Sequence, residues 1–127
     1  MIVPIYHARI MQAYQERERY QKAVNNPHFS ATQKNGSCGD ELTLAGYIKN
    51  GHITGMCFTG TGCIISQAAA VMLIKALEGV SVAQAQSFSS DDMKKLFDVH
   101  VGPARDACVL LALEAVHRAL FAIKKHD

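Results

Sequence analysis

Four residues carry types and settings that could do chemistry together. Cys38 and Asp40 stand in Ser37-Cys38-Gly39-Asp40, Cys63 closes Phe58-Thr59-Gly60-Thr61-Gly62-Cys63, and Cys108 follows much later, just inside a helical stretch. Three thiols and a carboxylate on separate segments suit a metal site or sulfur handling better than a packed core. They meet the donor count of tetrahedral zinc. They equally suit an iron–sulfur cluster, which takes thiolates and occasionally another ligand. Their wide separations match no C-x-x-C ribbon, so the site has to be assembled across the fold.

Each residue also has a plainer reading. Cys63 could be a small apolar filler at a helix start, since free cysteine is among the most buried residue types. Against that, unpaired N–H groups at a helix start favour negative charge on sulfur, and Gly60 and Gly62 allow close approach of the backbone. Asp40 could cap a turn, but strand alternation puts positions 38 and 40 on one face, which favours a ligand. Cys108 has Leu111 and Ala112 one turn later, so a core role competes there. Cys57, between Met56 and Phe58, is assigned to the core, as are Met72 and Met93. His100 could supply a fourth ligand or be a solvated loop residue. The six histidines form no H-x-x-x-H or H-E-x-x-H pair. Nucleophile-elbow, phosphate-loop and dinucleotide motifs are absent from the sequence.

The elements that must position these residues follow from periodicity. Leu42, Leu44, Gly46 and Ile48 alternate with Thr43, Ala45, Tyr47 and Lys49, the period of a half-buried strand. Asn50-Gly51 is the dipeptide of a type I′ turn. His52 to Thr59 alternates again, with Ile53, Gly55 and Cys57 opposing Thr54, Met56 and Phe58. The hairpin brings Cys38, at the foot of the outgoing strand, towards Cys63, just past the returning one. Gly60 to Gly62 are read as a loop, followed by a helix from about Ile64 to Glu78, with Gly79 as its C′ residue. Ser81 to Gln84 and Ser89 to Asp92 have the spacing of capping boxes that open two short helices. Gly102-Pro103 introduces a last helix to about Lys124, its apolar face drawn through Ala107, Leu110, Leu111, Leu120 and Ile123. A first helix is expected over residues 4–24, carrying a Glu18–Lys22 pair and stopping at Asn25-Asn26-Pro27. One short edge strand is expected around His28 to Thr32. The implied architecture is α+β, a small antiparallel sheet of about three strands packed against several helices, in a single domain over residues 1–127.

Composition narrows the function. The 127 residues are 49% hydrophobic and 19% charged, with a formal net charge of +2, values typical of globular proteins. The basic residues form no clustered stripe, which argues against nucleic acid. The longest apolar run, Ala68 to Ile74, falls far short of the roughly 20 residues of a bilayer span, so no membrane role is expected. The N-terminus lacks the pattern of a signal peptide. A cytoplasmic location is expected, where four cysteines read as thiols or metal ligands rather than disulfides.

The residues also resemble a known family, the IscU/NifU-type iron–sulfur cluster assembly scaffolds, over most of the chain. The resemblance rests on Asn26-Pro27, Cys38-Gly39-Asp40, Phe58-x-Gly60-x-Gly62-Cys63-x-Ile65-Ser66 and Pro103-Ala104-Arg105-Asp106-Ala107-Cys108. It implies a SufE/NifU-like α+β fold, cluster ligands at Cys38, Cys63 and Cys108, and the family's aspartate at Asp40. It also implies sulfur delivered as persulfide by a pyridoxal-phosphate (PLP)-dependent cysteine desulfurase, and a transient 2Fe–2S cluster passed on to apo iron–sulfur proteins or carriers. Isc-type members carry a histidine before the third cysteine and a Leu-Pro-Pro-Val-Lys chaperone segment. Here Ala107 and Val101-Gly102-Pro103-Ala104-Arg105 occupy those places, which argues against an Hsc-type chaperone partner. SufU-type members resemble Phe58 to Ser66 and Pro103-x-Arg105 more closely and bind zinc through three cysteines and the aspartate. They carry an insertion between the second and third cysteines that this chain lacks. The resemblance therefore implies a scaffold and sulfur acceptor rather than a true enzyme. Its alternative is a zinc-dependent persulfide relay with sulfurtransferase activity, stimulating its desulfurase. The candidate persulfide acceptors are Cys38 and, second, Cys108. The metal ligands, for Zn2+ or for the cluster, would be Cys38, Asp40, Cys63 and Cys108.

Overall fold

Asn50 and Gly51 take positive φ angles of 54° and 78° and turn the chain between β2 (Asp40–Lys49) and β3 (His52–Thr61). The expected hairpin is present. The structure is a computed structural model that describes residues 7–36 and 39–123. Around the hairpin the chain runs α1 (Ala8–Gln15), a 3-10 turn (Glu16–Arg19), β1 (Phe29–Asn35), β2, β3, α2 (Ile64–Leu77), α3 (Val82–Gln86), α4 (Ser90–Phe97) and α5 (Pro103–Phe121). The sheet is antiparallel in the order β1-β2-β3, so the fold is the expected α+β arrangement.

One face of the sheet is apolar and meets α2 and α5, which also pack on each other. Phe29, Leu42, Leu44, Ile53, Met56 and Phe58 join Ile65, Leu73, Leu111 and Val116 in one buried cluster. Each such side chain taken out of water contributes about 1.5–3 kcal/mol, and this burial holds helices and sheet in register. Both capping boxes form. Ser81 and Gln84 bond each other's backbone N–H at the start of α3, and Ser89 and Asp92 do the same at α4. Among the described residues, no helix is long and apolar enough to cross a membrane.

The structure departs from the sequence expectations at several places. On β3 the alternation shifts phase, because Tyr47 pairs with Thr54 while Ala45 pairs with Cys57. Two residues of β3 oppose one of β2 there, a bulge, and Gly55 takes φ +63° within it. Met56 and Phe58 therefore enter the core beside Ile53, and Cys57, though buried, stays outside that cluster. β3 also continues through Gly60 and Thr61, which pair with Leu42 and Glu41, where a loop was expected.

The first helix is shorter than its periodicity implied. After Arg19 the backbone turns to the sheet, where Phe58 N–H donates to Tyr20 C=O at 2.8 Å and Gln21 bridges to Phe58. A strand edge thus outcompetes the helix for these backbone groups, and the Glu18–Lys22 helical pair does not form because the helix has ended. Residues 1–6, including Pro4, lie outside the described residues. β1 runs on to Asn35 because Gln33, Lys34 and Asn35 pair with Leu42, Glu41 and Asp40. Helix α5 is covered on most sides by β1, β2, α2 and α4, whereas Ala107, placed on its apolar face by periodicity, is exposed. It ends at Phe121, and Lys124 lies outside the described residues.

Candidate metal centre

At the end of the hairpin opposite its turn, three elements meet. Register places Asp40, the first residue of β2, against Asn35 of β1, and Glu41 against Thr61 at the last position of β3. Two residues beyond Thr61 the chain enters α2 with Cys63 as N-cap. Helix α5 lies across β1 and β2 and brings up Cys108 from its second turn. One carboxylate oxygen of Asp40 and the Sγ atoms of Cys63 and Cys108 all lie within 4.8 Å of one another. Asp40 and Cys108 are buried and Cys63 is half-buried.

A buried carboxylate needs partners that replace water. Asp40 Oδ1 accepts from the backbone N–H of Cys63 at 3.1 Å, and Oδ2 accepts from the hydroxyl of Ser66 at 2.5 Å. The first of these uses a donor that a helix start leaves without an intrahelical partner. Cys63 is held in turn by Ser66, whose backbone N–H donates to Sγ at 3.4 Å and whose hydroxyl lies 3.2 Å from it. Asn35 Nδ2 donates towards Cys108 Sγ at 4.0 Å. Gln67 Nε2 donates to Gly62 C=O at 2.8 Å and ties down the corner between β3 and α2.

The two glycines before Cys63 serve different ends. A Cβ on Gly60, at φ +124°, would stand 2.1 Å from the carbonyl oxygen of Glu41, so the β2–β3 approach at this end requires glycine. A Cβ on Gly62 would press on Ser66 Oγ at 3.0 Å and reach Asp40 Cγ at 3.6 Å. The first glycine shapes the ladder, the second the space around the donors.

Of the residues singled out in the sequence, Asp40, Cys63 and Cys108 are brought together. Cys108 satisfies both of its readings, since it belongs to the core cluster and to the donor group. Cys38 lies outside the described residues, two positions before Asp40 in the chain. His100 is exposed and does not join the group. Cys57 does not join the group. Burial pushes its thiol pKa above the ordinary value of 9.0, with Lys22 opposing and Glu78 adding to the shift. Ser66 and Asn35 entered the sequence reading without a role at the site. Ser66 had a legible signal, standing three residues after the N-cap, the position that bonds back in a capping box. Asn35 had none, because only the strand register brings it to Asp40.

The donor chemistry fits a metal. Sulfurs on a tetrahedral zinc with bonds of about 2.3 Å lie about 3.7 Å apart, and the donor atoms here keep within 4.8 Å of one another. One carboxylate oxygen and two sulfurs also make a borderline-soft set of the kind zinc or iron takes.

Comparisons with known proteins give the family. Residues 5–127 match the NifU-like N-terminal domain family, and the chain belongs to it. Among its relatives is the iron–sulfur cluster assembly scaffold protein IscU of Thermotoga maritima, 25% identical over 98% of this chain and 99% of that protein. The zinc-dependent sulfurtransferase SufU of Bacillus subtilis is 28% identical over 91% of this chain and 89% of its own length. The crystal structure of the SUF-system SufU protein of Fervidobacterium islandicum superposes with a TM-score of 0.78 at 29% identity, covering 91% of this chain and 96% of that one. A NifU-like N-terminal protein of Brucella abortus shares the fold with a TM-score of 0.75 at 24% identity, over 94% of each chain. The family resemblance read from the sequence is thereby shown, and the chain stands among the iron–sulfur cluster assembly scaffolds of the IscU, SufU and NifU kind.

Proposed function

We propose that this protein receives persulfide sulfur from a PLP-dependent cysteine desulfurase and assembles a transient 2Fe–2S cluster for apo iron–sulfur proteins or carriers. The observation that carries this reading is the convergence of Asp40, Cys63 and Cys108 from a strand, a helix N-cap and a second helix within 4.8 Å. Cys38, Cys63 and Cys108 are the thiolate ligands in this reading, with Asp40 as a further ligand or the group that keeps the cluster exchangeable. A thiolate of Cys38 or Cys108 attacks the outer sulfur of the desulfurase persulfide. A new S–S bond forms, the old one breaks, and the desulfurase leaves as a thiolate. Conversion of that sulfur to sulfide takes two electrons from an external reductant. The altered segment Val101 to Arg105 argues against an Hsc-type chaperone in the hand-over.

A second reading rests on the same spacing, because three donors so close together suit one tetrahedral ion. In it the chain is a zinc-dependent persulfide relay. Cys38, Asp40, Cys63 and Cys108 would hold Zn2+, which when bound keeps the thiols deprotonated and orders the site. Cys38 is then the acceptor, and the relay stimulates its desulfurase.

One preparation separates the two. Protein purified without oxygen is assayed for zinc and iron, then supplied with iron, cysteine and a desulfurase. Visible charge-transfer absorption is the expected result. Failure under conditions where an Isc-type scaffold succeeds removes the scaffold reading. Protein containing no zinc, with desulfurase turnover unmoved by its addition, removes the relay.

A further inference from the structure

We infer that Ser66 is a positioning residue that sets the carboxylate of Asp40 and the sulfur of Cys63 for a metal. This rests on the reading that those two residues are metal ligands. Ser66 is fully buried, at 0% exposure, and a buried hydroxyl is tolerated only with partners. Its partners are the ligand candidates themselves, Asp40 Oδ2 at 2.5 Å and Cys63 Sγ at 3.2 Å. The backbone N–H of the same residue donates to Cys63 Sγ as well, at 3.4 Å. One residue thus touches two donors that arrive from different elements.

Its own place is fixed by helix geometry. Cys63 is the N-cap of α2 and Ser66 stands three residues on, where backbone and side chain both face back to the cap. A rigid element therefore holds the hydroxyl, and the hydroxyl holds the start of β2. The bond orients Asp40, whose ionised carboxylate is acceptor-only and takes its direction from the donors around it. Oδ1 accepts from Cys63 N–H and Oδ2 from the Ser66 hydroxyl, so the direction of each oxygen is set from the start of α2. Partners of this kind fix ligand direction in metal sites, and their loss typically weakens metal affinity 10- to 100-fold.

The test is titration of the metal-free protein with Co2+ and Zn2+, with Co2+ absorption reporting the ligand set. Ser66→Ala is expected to weaken both metals about 10- to 100-fold and to alter the Co2+ d–d bands, while far-ultraviolet circular dichroism stays that of the parent. Gln67→Ala is the comparison. It removes a hydrogen bond from the same corner but touches no donor atom, and its metal affinity is expected to remain at the parental value. Ser66→Thr and Ser66→Val give the contrast at matched volume, should Ser66→Ala not fold. The threonine keeps the hydroxyl and is expected to bind more tightly than the valine. Equal losses in Ser66→Ala and Gln67→Ala, or equal affinities of the threonine and valine variants, overturn the inference. Tighter binding by Ser66→Ala also overturns it, since Ser66 would then lock Asp40 away from the metal. A parent protein that binds neither ion removes the metal reading, and the inference with it.

Discussion

The two ends of the β2–β3 hairpin are built by opposite means. At one end the chain reverses through Asn50 and Gly51, both exposed, and a Cβ on Gly51 would meet nothing within 4 Å. At the other end Asp40 is buried, and its carboxylate joins β2 to the first turn of α2 through Cys63 and Ser66. The turn end is closed by local backbone chemistry, which two residues can supply. The donor end is closed by side chains far apart in sequence, so a change to one of them is felt by several others. Local closure tolerates substitution, whereas convergent closure couples stability to the ligand set.

Glycine substitution gives the largest expected contrast. Gly60→Ala puts a methyl 2.1 Å from Glu41 C=O at a positive φ, so the strands must part at the donor end, at a cost of about 3 kcal/mol or more. A urea melt of the metal-free protein checks this, and a midpoint equal to the parent's removes the claim that glycine is required there. Asp40→Ala comes next. It leaves the N–H of Cys63 and the hydroxyl of Ser66 without their carboxylate, an expected loss of about 2–3 kcal/mol in the same melt, with Co2+ affinity falling alongside. At the turn end Gly51→Ala meets only the backbone preference against φ +78°, about 1–2 kcal/mol, and is expected to leave metal affinity alone. A Gly51→Ala protein that binds metal poorly would erase the distinction between the ends.

The smallest effect lies between the two ends, at Cys57. Burial raises its thiol pKa, so the folded chain holds that proton more tightly than the unfolded chain does. The resulting stability is complete below the ordinary thiol range and is lost as pH climbs through the raised value. Thermal melts from about pH 8 upward are expected to fall less steeply for Cys57→Ala than for the parent. Identical slopes would mean the thiol titrates alike in both states.

What the sequence made legible follows the same division. The Asn50-Gly51 turn, the two capping boxes and the alternation of β2 are each encoded within a few residues, and each is present. Asp40, Cys63 and Cys108 were identifiable as a group because their residue types are informative without coordinates. Features set by tertiary competition were not legible. The chain after Arg19 leaves the helix because β3 offers its backbone a partner at Phe58. β1 reads as polar because an edge strand has little apolar face to show. The neighbours that hold the donors, Ser66 and Asn35, are ordinary polar residues whose role exists only once α2 and β1 have reached Asp40.

The bulge at Gly55 has a consequence for length variation. Because β3 spends one more residue than β2 there, removing Gly55 would restore an unbroken ladder with Ile53, Met56 and Phe58 still on the core face. Removing one residue beyond the bulge, between Cys57 and Thr61, would instead turn the rest of the strand over. In that second case the chain would enter α2 out of phase with Asp40. Residues added at Asn50-Gly51 would lengthen an exposed tip and leave every pairing below it intact. Length changes in this hairpin are therefore absorbed at the turn or at the bulge, and the distance along the chain from the Gly55 bulge to Cys63 is as much a part of the site as its donors.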